Sequence, residues 1–105
     1  MTMREHTLEA ARLGYAEIDP ADLVHFGAAH LVDVREPREY EGELCHIAGS
    51  ELVPLAGLED AARRWDRTRP IVMICRSGRR SAQGAGLLVQ LGFTHVYNLD
   101  RKSVV

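Results

Sequence analysis

Ile71-Val72-Met73-Ile74 constrains the fold more than any other stretch of the chain. Four apolar residues in a row, two Ile and one Val among them, fit a strand buried on both faces. Cys75 stands where the run ends, followed by a short segment with one glycine and three arginines, Arg76-Ser77-Gly78-Arg79-Arg80. Ser81 then opens a helical pattern in which Ala82, Ala85, Leu88 and Val89 recur at helical spacing. The unit is strand, tight loop, helix. A thiol at the carboxyl end of a parallel strand, under a helix N-terminus, sits where open α/β sheets place their ligands. Loop amides and the helix dipole favour negative charge at that point.

Such surroundings make a cysteine reactive. A free thiol titrates near pH ~8.5, and beside a helix N-terminus and arginines the value falls to roughly 3.5–7.5. The thiolate is the nucleophile, and the loop can hold an anionic substrate group while Cys75 attacks it. The competing reading is a buried, inert core thiol. Three arginines and Gly78 argue against it, because an inert thiol needs no such neighbours. Gly78 either supplies a positive φ or is merely a flexible loop residue.

The rest of the chain supports an α/β domain. At 105 residues it suits one domain with a modest core. Tyr15 to Ile18 reads as a brief edge strand. Asp19-Pro20 reads as N-cap and first residue of a helix running to about Ala28, and Leu31 to Val34 as a central strand. Pro37 to Gly42 suggests a helical turn and Glu51 to Val53 a short strand. Leu58, Ala61, Ala62 and Trp65 mark an amphipathic helix, and His95 to Tyr97 a last strand. Thr7 to Leu13 reads as a short helix stopped by Gly14. Strands alternating with helices predict an α/β fold with a mostly parallel sheet.

Composition narrows the function. A formal charge of −2 gives no general case for nucleic-acid binding. Lys102 is the one lysine among 13 basic residues, and arginine suits planar oxyanions that it grips with two parallel hydrogen bonds. Cys45 and Cys75 make no disulfide framework, no C-x-x-C spacing points to metal, and no apolar run is long enough to span a membrane. The N-terminus lacks the apolar core of a signal peptide, so a reducing, cytoplasmic location is expected.

Cys75-Arg76-Ser77-Gly78-Arg79-Arg80 resembles the active-site loop of single-domain rhodaneses, sulfurtransferases that carry sulfur as a cysteine persulfide. Leu31-Val32-Asp33-Val34-Arg35-Glu36-Pro37 with Glu39-Tyr40 is similar to the family's first box. His46-Ile47-Ala48-Gly49-Ser50 with Val53-Pro54-Leu55 is similar to the second. Gly92 to Leu99 resembles the strand entry beyond the active-site helix. The four boxes stand in the family's order between about residues 30 and 99.

The resemblance implies a three-layer α/β/α rhodanese-like domain over residues 1–105. It implies Cys75 as sulfur carrier, with Arg76, Ser77, Gly78, Arg79 and Arg80 as substrate cradle. It further implies a small sulfur donor such as thiosulfate or a persulfide, a thiol or cyanide acceptor, and neither metal nor organic cofactor. Asp33 and Arg35 are expected to support the loop through a charge-assisted hydrogen bond, the other reading being a surface ion pair. His46 reads as a general base or as a loop-capping residue, and Cys45 as a resolving thiol or a small hydrophobe.

Related phosphatases bracket five residues between cysteine and arginine, where Cys75 and Arg80 bracket four. The shorter loop favours sulfur transfer over phosphatase or arsenate-reductase chemistry. Two departures bear on the donor. Two-domain thiosulfate enzymes carry a lysine two residues after the cysteine and an arginine six after the aspartate; here Ser77 and Glu39 stand there. Family members also continue with two glycines and a final helix, where this sequence has Asp100 to Val105. That predicts homodimerisation, cover from Thr7–Leu13, or low stability. From a different class, the alternative is a non-catalytic rhodanese module that binds a partner or senses oxidants.

Overall fold

The computed structural model describes residues 14–41, 47–75 and 79–99. Among these residues five strands form one sheet: β1 (Ala16–Ile18), β2 (His30–Asp33), β3 (Glu51–Leu52), β4 (Ile71–Ile74) and β5 (Val96–Leu99). They lie in the order β1-β5-β4-β2-β3, and every pairing is parallel. Three α-helical segments accompany them, α1 (Pro37–Tyr40), α2 (Leu58–Ala62) and α3 (Arg79–Gln90), with 3₁₀ turns at Pro20–His25 and Leu55–Gly57.

β4 occupies the centre, and its alternation assigns each side chain to a layer. Ile71, Met73 and Cys75 face the side covered by α2 and α3, among Leu58, Ala62, Ala85, Leu88 and Phe93. Val72 and Ile74 face the other side with Ile18 and Leu99, under Leu23 and Phe26 of the 3₁₀ region. All four strand residues are buried, which is why the run carries no polar residue at all. On that second face the Phe26 ring meets Tyr97 edge-on at 4.7 Å.

The strand ends shift by one or two residues from the sequence expectation, and three helical segments differ more. The helix expected after Asp19 is a 3₁₀ turn ending at His25, held by Asp22 N–H to Asp19 O and Phe26 N–H to Leu23 O. α2 stops at Ala62, and the chain tightens to i→i+3 bonds from Arg64 to Ala61 and Trp65 to Ala62, still packing Trp65 on the core. α3 starts at Arg79, two residues before Ser81, so Arg79 and Arg80 belong to its first turn. Thr7–Leu13, Cys45, His46, the loop residues Arg76, Ser77 and Gly78, and the tail 100–105 lie outside the described residues.

The strand order places the chemistry. From β4 the chain crosses by α3 to β5, on one side of β4. From β2 it passes by α1 to β3, in the opposite direction. The crevice between the carboxyl ends of β2 and β4 is therefore a topological switch point.

Candidate active site

Cys75 emerges from β4 into that crevice and is fully buried. Its Sγ receives the backbone N–H of Ser81 at 3.3 Å and lies 3.3 Å from Ser81 Oγ. As a thiol it donates to that oxygen; as a thiolate it is the acceptor, and the hydroxyl rotates to donate. Ser81 is the third residue of α3, so the sulfur takes one of the N–H groups that a helix leaves unpaired at its start. Sequence reasoning had placed Ser81 only as the helix opening. A hydroxyl residue in the first turn of the helix after a cysteine was the signal for its second role.

Asp33 and Arg35 meet at the end of β2. Arg35 Nε donates to both carboxylate oxygens at 3.0 and 3.1 Å, its Nη2 donates to Oδ2 at 2.8 Å, and its backbone N–H donates to Oδ1 at 3.0 Å. Side-chain exposure is 1% for Arg35 and 0% for Asp33, so this is an interior ion pair. The Asp33 hydrogen bond holds the Arg35 guanidinium above its ordinary pKa against the opposing cost of burial. Removing one partner of such a pair costs about 3–5 kcal/mol, because the survivor is left buried and charged. The intervening Val34 N–H bonds to Ile74 O at 3.0 Å, which ties this turn to the residue preceding Cys75.

Arg80 points across the crevice. Its Nη1 and Nη2 donate to Glu39 Oε1 and Oε2 at 2.7 and 2.8 Å, a two-pronged grip between α3 and α1. Glu39 Oε1 also accepts the Glu36 N–H at 3.0 Å, so the carboxylate is fixed by its own helix start. Arg80, and then the Glu36 amide, hold the Glu39 carboxyl down at about 2. Glu39 in turn raises Arg80. Arg79 occupies the exposed first position of α3. Next to Glu39, Tyr40 donates its hydroxyl to Ser50 O at 2.7 Å, and Ser50 Oγ donates to Ile47 O at 2.6 Å. The two sequence boxes that carry these residues are thus physically joined.

A cavity of about 190 Å³ lies elsewhere, between His30, Trp65, Arg69, Ile71 and Phe93. It is at the amino end of β2 and β4, away from Cys75, and it holds none of the site residues. Among the described residues no group of three or more His, Cys, Asp or Glu is disposed to hold a metal ion. No helix among them is long and apolar enough to cross a membrane.

The sequence profile of the Rhodanese-like domain family matches residues 19–101. The chain belongs to the rhodanese-like family. Its α/β architecture is that of the family's solved members: a rhodanese-related protein from Thermoplasma volcanium superposes with a TM-score of 0.70 at 31% identity, over 81% of this chain and 83% of that one. Thiosulfate sulfurtransferase GlpE of Pseudomonas fluorescens is 39% identical over 72 residues, 69% of this chain and 64% of that protein. The uncharacterized Bacillus subtilis protein YqhL is 34% identical over 97 residues, 92% of this chain and 67% of YqhL. The chain thus spans about two thirds of the length of these two relatives.

Proposed function

We propose that this protein is a rhodanese-type sulfurtransferase that carries sulfane sulfur as a persulfide on Cys75. The Cys75 thiolate attacks the outer sulfur of thiosulfate, the S–S bond to the sulfonate breaks, and sulfite leaves with the bonding pair. An acceptor thiolate or cyanide then attacks the outer sulfur of the persulfide, and the Cys75 thiolate leaves. Nothing is oxidised or reduced beyond the sulfur passed on, so neither step draws on a redox partner. A persulfide donor enters the first step in the same way, releasing its own thiolate. Arg76, Ser77, Gly78, Arg79 and Arg80 serve as the cradle for the outgoing anion, more through backbone N–H groups than through side chains. Asp33 and Arg35 position the β2 end against the strand that bears the cysteine.

The observation that supports this reading best is the seat of Cys75 Sγ, 3.3 Å from both the backbone nitrogen and the hydroxyl oxygen of Ser81, at the start of a twelve-residue helix. The Ser81 N–H donates to the sulfur, the hydroxyl can turn to donate to a thiolate, and the positive end of the helix dipole also favours a charged sulfur. The fit of thiosulfate sulfurtransferase GlpE points the same way, at the level of a relative.

Intact-mass spectrometry after incubation with thiosulfate tests the proposal on the wild type and Cys75→Ser. The expected result is a gain of one sulfur on the wild type alone, discharged by cyanide. No adduct from thiosulfate, mercaptopyruvate or a small persulfide would sink it, and would leave a partner-binding or redox-sensing module.

A further inference from the structure

The Glu39–Arg80 pair leaves the crevice with less positive charge than its arginines suggest. Both terminal nitrogens of Arg80 are turned toward one carboxylate, whose position is set independently by the Glu36 N–H. Arg80 is adjacent in sequence to Ser81, which holds the sulfur, and it lies close enough to Cys75 for the charge of that group to act on it. Glu36 acts on it as well, and Glu39 feels Arg35, itself neutralised by Asp33. Among the described residues, the two buried or half-buried arginines, Arg35 and Arg80, are thus each matched by a carboxylate.

We infer that Glu39 is a specificity-determining residue: by pairing with Arg80 it weakens the attraction of the site for dianionic donors and shifts preference toward donors of lower charge. This rests on the sulfurtransferase reading. The physical basis is that a guanidinium closed off by a carboxylate presents a nearly neutral pair to an incoming anion. Thiosulfate carries two negative charges and an arenethiosulfonate one. Both give the same persulfide on Cys75, releasing sulfite and sulfinate respectively. A change in local potential therefore acts once more on thiosulfate than on the arenethiosulfonate.

Glu39→Gln keeps an amide oxygen for the Glu36 N–H and for Arg80 but removes the charge. The ratio of kcat/KM for thiosulfate to that for toluenethiosulfonate is expected to rise roughly three- to tenfold, the effect of one charge acting through partly screened space. A second ratio needs no sulfur transfer: the alkylation rate at Cys75 by iodoacetate, an anion, over that by neutral iodoacetamide. These reagents also differ by one charge, so both ratios should rise by a similar factor and fall back at high salt. Arg80→Gln should lower both. A purely structural role for the pair changes the two rates in each ratio alike. An unchanged donor ratio in Glu39→Gln overturns the inference while wild-type persulfide formation leaves the sulfurtransferase reading standing. A wild type that forms no persulfide with either donor overturns both.

Discussion

Ser81 gives Cys75 two separable interactions, one from the backbone that no substitution removes and one from the hydroxyl that a single substitution does. Ser81→Ala is well suited to test the second, since alanine is the best helix former and the site is fully buried. A hydrogen bond to a charged group contributes about 1.5–3 kcal/mol, and 1.36 kcal/mol corresponds to one pKa unit. The alkylation pH profile of Cys75 in Ser81→Ala should therefore move up by about one pH unit or more, with little loss of stability. A profile superimposable on the wild type would show that the hydroxyl does not hold the thiolate. Asp33 and Arg35 act at the same scale in another way. They hold each other, and the Arg35 backbone N–H, at the end of β2 beside the strand that bears Cys75.

The element that matters most is α3, because its distance from β4 decides whether Ser81 reaches the sulfur. Gly84, one turn into the helix, permits the close approach. A Cβ built there lies 3.0 Å from Leu58 Cδ2 of α2 and 3.0 Å from Met73 Cε of β4. Alanine sets a gain in helix propensity of roughly 0.5–1 kcal/mol against that contact, and the neighbouring atoms are the ends of flexible side chains. Valine adds two more methyl groups with nowhere to go. Gly84→Val is expected to destabilise the fold by about 1–3 kcal/mol in urea unfolding and to slow persulfide formation, as the helix start moves off Cys75. A Gly84→Val protein as stable and as fast as the wild type would mean that the packing of α3 tolerates displacement. Gly14 marks the other end of the same helix. Its φ is +82° and a Cβ there would meet Val89 Cγ1 at 2.6 Å, so the chain entering β1 lies close against α3.

At the scale of the whole molecule, the Glu39–Arg80 grip joins the segment after β2 to the helix after β4, 41 residues apart in sequence. It contributes to stability with a definite pH dependence. The folded Glu39 carboxyl is held at about 2, below its ordinary value of 4.5. The unfolded chain thus binds the proton first as pH falls. The stabilisation is fully present above pH 4.5 and is lost progressively between there and about 2. The stability difference between wild type and Glu39→Gln should accordingly be flat from pH 7 to about 5 and shrink below it, measured by urea unfolding across that range. A difference that grows on acidification contradicts the pairing. The grip is half-exposed, so added salt should reduce it as well.

Much of this was legible before any tertiary structure. The Ile71–Ile74 run, the cysteine at its end and the helical spacing after it determined a strand–loop–helix unit in an α/β sheet, because periodicity and burial of a strand are local properties of the chain. Which layer covers Ile71 and Met73 and which covers Val72 and Ile74 came only with the closed sheet. Helix ends were less legible: the turn at Pro20–His25 and the stop at Ala62 depend on how tightly each segment must lie against the sheet. The partners within the site were legible only in part: Asp33 and Arg35 stood out as a charged support, but their burial and the Glu39–Arg80 pair did not. Ser81 reaches the sulfur within one strand–loop–helix unit, and Asp33 and Arg35 stand two residues apart, but that Glu39 occupies Arg80 follows from β2 lying beside β4. Strand order is a property of the closed sheet, set by where crossovers bury the most apolar surface, and it brings together side chains that no spacing along the sequence relates.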